Sequence, residues 1–180
     1  MNSPHNEDLR RDRNFPLSRH SLKICASLVE NPMNLGALCR TTEVFALESL
    51  VLPTLAVAEG WEFRKLAASA HYWQPLEACN PKDLRVWMRA QQQAGYVVLA
   101  LTAHEQAHCL THFTFPAKTA LILGRELTGI PPEILAGCEG AIAIPQFGQV
   151  ESLNVHTAAA IAIYEYIRQH ASSQNVRQES

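Results

Sequence analysis

The sequence predicts an α/β domain with a mostly parallel sheet flanked by helices. Three observations lead there. Short runs rich in β-branched and large apolar residues, Tyr96–Leu101 (YVVLAL) and Thr119–Leu123 (TALIL) above all, alternate with stretches of helical patterning. These runs are apolar on both faces, as strands covered by helices on either side require. Cap and breaker residues punctuate the alternation, as where Asn80 and Pro81 open a helix that Gly95 ends.

Taken in order, Leu22–Leu28 reads as a buried strand and Asn34–Ala46 as a helix. Ser49–Leu52 is a short strand, Glu59–Ala68 a helix, and Leu76–Ala78 a minor strand. The helix opened by Asn80 runs to Ala94, and the strands Tyr96–Leu101 and Thr119–Leu123 follow. Ala141–Ile144 is a further strand, stopped by Pro145. The last element, Leu153–Gln169, is a helix with apolar residues on nearly every side and a run of alanines, Ala158 to Ala160 and Ala162. Such a helix is covered on more than one face, either within one subunit or at a dimer interface.

The chain has 180 residues, 47% hydrophobic and 18% charged, enough to bury one core without staples. We divide it into a polar N-terminal tail (1–20), one domain (21–170) and a polar C-terminal tail (171–180). A net charge of −2 advertises no general affinity for nucleic acid, so any RNA contact must come from local patches. One such patch is Arg10, Arg11, Arg13, Arg19, His20 and Lys23, which reads either as a solvated tail or as an RNA-touching arm. Five scattered cysteines with no paired spacing indicate neither a disulfide framework nor a zinc site, and no metal is expected. No apolar signal core and no membrane-spanning run is present, so a soluble, cytoplasmic protein without membrane contact is expected.

Ligands of parallel sheets bind at the loops that follow the strands' carboxyl ends, and three segments carry residues that plain connections do not need. The first is NPMNLGALCRTT, where Asn34 occupies an expected cap position and Arg40 projects from the helix behind it. The second, LILGRELTGIPP, runs a strand into a turn that holds Glu126 between Gly124 and Gly129. It lacks the Gly-Lys-Ser/Thr ending of a phosphate loop and is not GxGxxG, which argues against an unrelated nucleotide-using enzyme. The third, IPQFGQVESLNVH, offers Ser152 and Asn154 as caps for the last helix, with His156 close behind.

In this order, NPMNLGALCRT, LILGRELTG and IPQFGQVESLNVHTAAAIAIYE resemble the TrmH branch of the SPOUT superfamily, the RNA ribose 2′-O-methyltransferases. The wording NLGALCRTTEVFAL with SLNVH is most similar to the catalytic domain of eukaryotic-type tRNA guanosine-18 methyltransferases. The resemblance implies a SPOUT fold with a C-terminal deep trefoil knot. It implies S-adenosylmethionine as cofactor, gripped by backbone groups around Gly124, Ile144 and Leu153, with Thr102 as a further lining residue. It gives Arg40 the activation of the ribose hydroxyl, either as a base or as an electrostatic stabiliser. Because guanidinium stays protonated in proteins, holding the neighbouring phosphate and stabilising alkoxide character is the economical form. Asn34 and Glu126 would orient Arg40 and the substrate, and Ser152 and Asn154 would complete the pocket. His156 stands where bacterial members commonly carry serine, agrees with the eukaryotic-type branch, and reads as a branch marker and substrate contact. The implied partners are RNA, tRNA first, and a second copy of the chain. Ribosomal RNA, another tRNA position and a catalytically silent RNA-binding module are the alternatives.

Overall fold

Strands buried on both faces need helical crossovers to stay parallel. The computed structural model, which describes residues 18–150 and 152–171, is built that way. Strands β1 (His20–Cys25), β2 (Leu47–Leu52), β3 (Leu76–Ala78), β4 (Val97–Leu101), β5 (His108–Cys109), β6 (Thr119–Leu123) and β7 (Gly140–Ala143) form one sheet. Its order is β3-β2-β1-β6-β4-β7-β5, and the strand pairings among the described residues are parallel. The helices are α1 (Pro32–Val44), α2 (Trp61–Ala67), α3 (Leu84–Gln93), α4 (Pro132–Leu135) and α5 (Val155–His170).

The period of two along a strand sends successive side chains to opposite faces, and each face has its own apolar layer. Ile24, Leu50, Leu121 and Leu123 pack with Leu35 and Leu38 of α1, Phe63 of α2, and Ile163 and Tyr166 of α5. Their neighbours Cys25, Val51 and Ile122 face the other way, onto Leu84 and Met88 of α3 and Ile134 of α4. Among the described residues, no helix is long and apolar enough to cross a membrane.

The elements differ from expectation mainly at their ends. Asn31, not Asn34, caps α1: its side chain accepts from the Met33 N–H at 2.9 Å, and Pro32 fills the first helical position. Asn34 is thereby released from capping. The helix expected over Glu59–Ala68 divides at Gly60, whose backbone is extended, into a 3₁₀ turn over Leu55–Glu59 and α2. Asn80 and Pro81 open a 3₁₀ turn that passes into α3, and Gly95 ends the segment at φ +85°. The last helix begins at Val155, with Leu153 left in the preceding loop.

Part of the N-terminal basic stretch is spent inside the domain. Arg19 pairs with Glu43 at 2.8 Å and donates to the carbonyls of Leu47 and Trp73. Lys23 pairs with Glu77 at 2.9 Å and with Glu48 at 3.6 Å. His20 is the first residue of β1. These three therefore take part in the domain's own contacts; Arg10, Arg11 and Arg13 lie outside the described residues.

Candidate active site

The strand order sets β6, β4 and β7 side by side, so their carboxyl ends deliver three loops to one edge of the sheet. Thr102 follows β4, Gly124 follows β6 and Ile144 follows β7. Gly124 is required by a close approach: a Cβ built there would lie 2.8 Å from the Gly129 carbonyl carbon. The loop folds back on itself at that point. Arg125 N donates to Gly129 O at 2.9 Å, Gly129 N donates to Arg125 O at 3.0 Å, and Gly129 takes φ +67°. Glu126 is thus carried on a tight hairpin beside the strand end.

A cavity of about 530 Å³ opens between the three loops. Thr102, Gly124, Ile144 and Leu153 line it, as do Glu126, Ser152 and Asn154. Four expected cofactor contacts and three of the expected catalytic residues therefore meet in one place. Asn34 joins them through its side chain.

The direction of the polar chain here follows from a helix cap. Asn154 Oδ1 accepts from the His156 and Thr157 N–H groups at 2.9 and 3.3 Å, satisfying two of the orphan donors of α5. Its Nδ2 is left to donate, and it reaches Asn34 Oδ1 at 3.1 Å. That turns Asn34 Nδ2 toward Glu126, whose Oε1 accepts it at 3.0 Å. A carboxylate accepts only, so it ends the chain. Three segments far apart in sequence are locked in register by two side-chain hydrogen bonds.

Arg40 is placed differently. It is exposed, has no hydrogen-bond or ion-pair partner among the described residues, and does not line the loop cavity. Six residues beyond Asn34 on a helix corresponds to about 9 Å of rise and about 240° of rotation, so the two side chains leave different sides of α1. Arg40 instead borders a second cavity of about 330 Å³ with Ala37, Thr41, Val44, Phe45, Leu66 and His156. Within one subunit, the guanidinium and the three loops do not converge.

Two features were not anticipated from the sequence. One is the bond between Thr41 Oγ1 and His156 Nε2, at 2.9 Å, which ties α1 to α5. The half-buried ring has its pKa lowered by desolvation, which favours neutral imidazole. The other is the cap at Asn31, which the Asn-Pro step of NPMN already advertises. Among the described residues, no group of three or more His, Cys, Asp or Glu side chains could hold a metal ion.

A model of the SpoU rRNA Methylase family matches residues 21–164. A Mus musculus protein named tRNA (guanosine(18)-2′-O)-methyltransferase TARBP1 is 38% identical over 148 residues, which are 82% of this chain and 9% of that protein. The Saccharomyces cerevisiae tRNA (guanosine(18)-2′-O)-methyltransferase is 31% identical, over 87% of this chain and 11% of its own length. The protein of the same name from Thermus thermophilus is 35% identical, over 82% of this chain and 75% of its own length. The chain thus spans about a tenth of the first two relatives and three quarters of the third. Among solved structures, the A. aeolicus TrmH/SpoU tRNA modifying enzyme superposes with a TM-score of 0.71 at 26% identity, covering 84% of this chain and 76% of that one. An AdoMet-bound rRNA methyltransferase from Sinorhizobium meliloti shares the fold, with a TM-score of 0.71 at 24% identity over 84% of this chain and 56% of that one. Sequence motifs, parallel sheet and loop cluster agree with these likenesses, and the chain belongs to the SpoU rRNA methylase family.

Proposed function

We propose that this chain transfers a methyl group from S-adenosylmethionine to a ribose 2′-hydroxyl of RNA, with guanosine 18 in the D-loop of tRNA as its target. The observation that carries the reading is the meeting of the loops after β4, β6 and β7 around one cavity, with Asn34, Glu126 and Asn154 joined beside it. Gly124 suits a cofactor held by backbone groups, since its missing side chain lets the Gly129 backbone fold tightly against the strand end at the cavity wall. S-adenosylmethionine, when bound, supplies the electrophilic methyl group. Thr102, Gly124, Ile144 and Leu153 would hold it. Glu126 and Asn34 would orient the ribose, with Ser152 and Asn154 closing the pocket. Arg40 would hold the adjacent phosphate and stabilise charge developing on the 2′-oxygen, whose proton passes to phosphate or water.

We infer a homodimer and a C-terminal trefoil knot as parts of the same reading, both implied by the family resemblance. The outer surface of α1 and α5 leaves Val44, Ile161 and Tyr164 exposed, apolar area that a second copy would cover. In this reading the loop cavity that Arg40 serves is the partner's, since its own subunit does not bring the two together. Sedimentation of the purified chain tests the dimer.

The reading is tested by incubating the protein with bulk unmodified tRNA and labelled methyl donor, followed by nucleoside analysis. Label on 2′-O-methylguanosine supports it, and label on a base overturns the ribose assignment. A second reading, ribosomal RNA as substrate, is favoured by a Nitrosomonas europaea relative named 23S rRNA (guanosine-2′-O-)-methyltransferase RlmB, 30% identical over 156 residues. Primer-extension mapping separates the two. A silent RNA-binding module would show no cofactor binding by calorimetry.

A further inference from the structure

We propose that His156 is a positioning residue for Arg40, acting through Thr41 by fixing α5 against α1; the proposal rests on the methyl-transfer reading. The first turn of α5 touches α1 at two polar points. Asn154 donates to Asn34 at 3.1 Å, and His156 Nε2 meets Thr41 Oγ1 at 2.9 Å. Asn34 and Thr41 are seven residues apart, about two turns and about 10 Å along one side of α1. Apolar packing of Leu35 and Leu38 against Ile163 holds the two helices together, and two hydrogen bonds separated along the axis add a directional check on slide and rotation that one alone would not give. Arg40 is the residue next to the second point.

A threonine inside a helix ordinarily turns its hydroxyl back to a carbonyl one turn earlier. Thr41 uses its hydroxyl across the helix interface instead. Arg40, Thr41 and His156 border the same cavity, and Arg40 has no partner among the described residues to hold its own side chain. Its place is therefore set by the helix that carries it. Burial favours the neutral form of His156, in which the ring makes a directed hydrogen bond without a second positive charge beside the guanidinium.

The test compares Thr41→Val, His156→Ala and the double variant with Thr41→Ser and His156→Gln, the last two retaining a hydrogen-bonding group. Thr41→Val and His156→Ala should each lower kcat for tRNA methylation about tenfold, and the pair should lower it no further than either alone. Affinity for S-adenosylmethionine should fall less than kcat, because neither Thr41 nor His156 lines the loop cavity. Thr41→Ser and His156→Gln should keep most of the activity. Wild-type kcat in Thr41→Val, or losses that multiply in the double variant, would overturn the proposal. The Arg40 side-chain N–H resonance gives a readout that needs no turnover. If the wild-type protein methylates no RNA, the functional reading falls alone: a shifted or broadened Arg40 signal in His156→Ala still supports the positioning role, and an unchanged one overturns it.

Discussion

Gly36 offers a stringent check on the packing that carries Asn34 and Arg40. It lies buried in α1 against α2, and a Cβ added there would stand 2.2 Å from the Phe63 carbonyl oxygen. Carbon and oxygen come no closer than about 3.3 Å even in favourable C–H···O contacts, so the overlap is about 1 Å. The obstacle is backbone, with Phe63 C and Cα each 3.0 Å away, and no side chain can rotate aside. Gly36→Ala gains about 1 kcal/mol of helix propensity. Overpacking of a tight interior costs about 1–3 kcal/mol, and an overlap of this size against fixed backbone belongs at or beyond the upper end. The clash wins, leaving a net loss of about 2 kcal/mol or more. For a chain this long, that lowers Tm by roughly 4–8 °C at least. Relieving the overlap also moves α1 by up to about 1 Å, enough to cost about 10²-fold in turnover. Thermal melting by circular dichroism reads the first effect and tRNA methylation the second. A variant as stable and as active as the wild type would refute the argument.

Further outcomes follow from the site. Arg40→Ala should cut methylation by about 10²-fold or more while shifting stability by no more than about 0.5 kcal/mol, because the side chain is exposed and without a described partner; a large fall in Tm would show a structural role instead. Gly124→Ala places a Cβ 2.8 Å from Gly129 and should weaken S-adenosylmethionine binding about tenfold or more by calorimetry; unchanged affinity would remove that loop from the cofactor site. Burial lowers the pKa values of His20 and His156 from 6.5, that of His20 with help from the charge of His170. The unfolded chain then takes up protons at higher pH than the folded one. Stability should be complete above about pH 6.5 and fall as pH drops through the lowered folded values. Melting temperatures that stay flat from about pH 7.5 to about pH 5.5 would contradict this. Glu77 titrates lower still: burial opposes ionisation, but hydrogen bonding and the charge of Lys23 prevail, so its contribution is lost only in more acid solution.

How much was legible in the sequence follows from the range of each interaction. Thr119–Leu123 and Leu76–Ala78 emerge with the predicted bounds, because strand length, apolar content and flanking breakers are local properties. The helix that starts α1 is local too, yet Asn31 and Asn34 are both competent caps, and only Pro32 at the first helical position favours Asn31. The two-residue β5 and the one-turn α4 are too short to show a period. Motif order brought together Gly124, Glu126, Ile144, Ser152, Leu153 and Asn154, since each sits on a loop at the same sheet edge. It could not show which cavity Arg40 borders, nor that Thr41 meets His156 across 115 residues, because both depend on how α1 and α5 pack.

The reacting atom itself gives the most direct test. A tRNA transcript with 2′-deoxyguanosine at the mapped position removes only the 2′-hydroxyl and keeps base, phosphates and shape. Methyl transfer to the unmodified guanosine transcript and none to its deoxy counterpart is the predicted result. Equal labelling of the two would mean that the methyl group goes elsewhere, and the ribose assignment would fail.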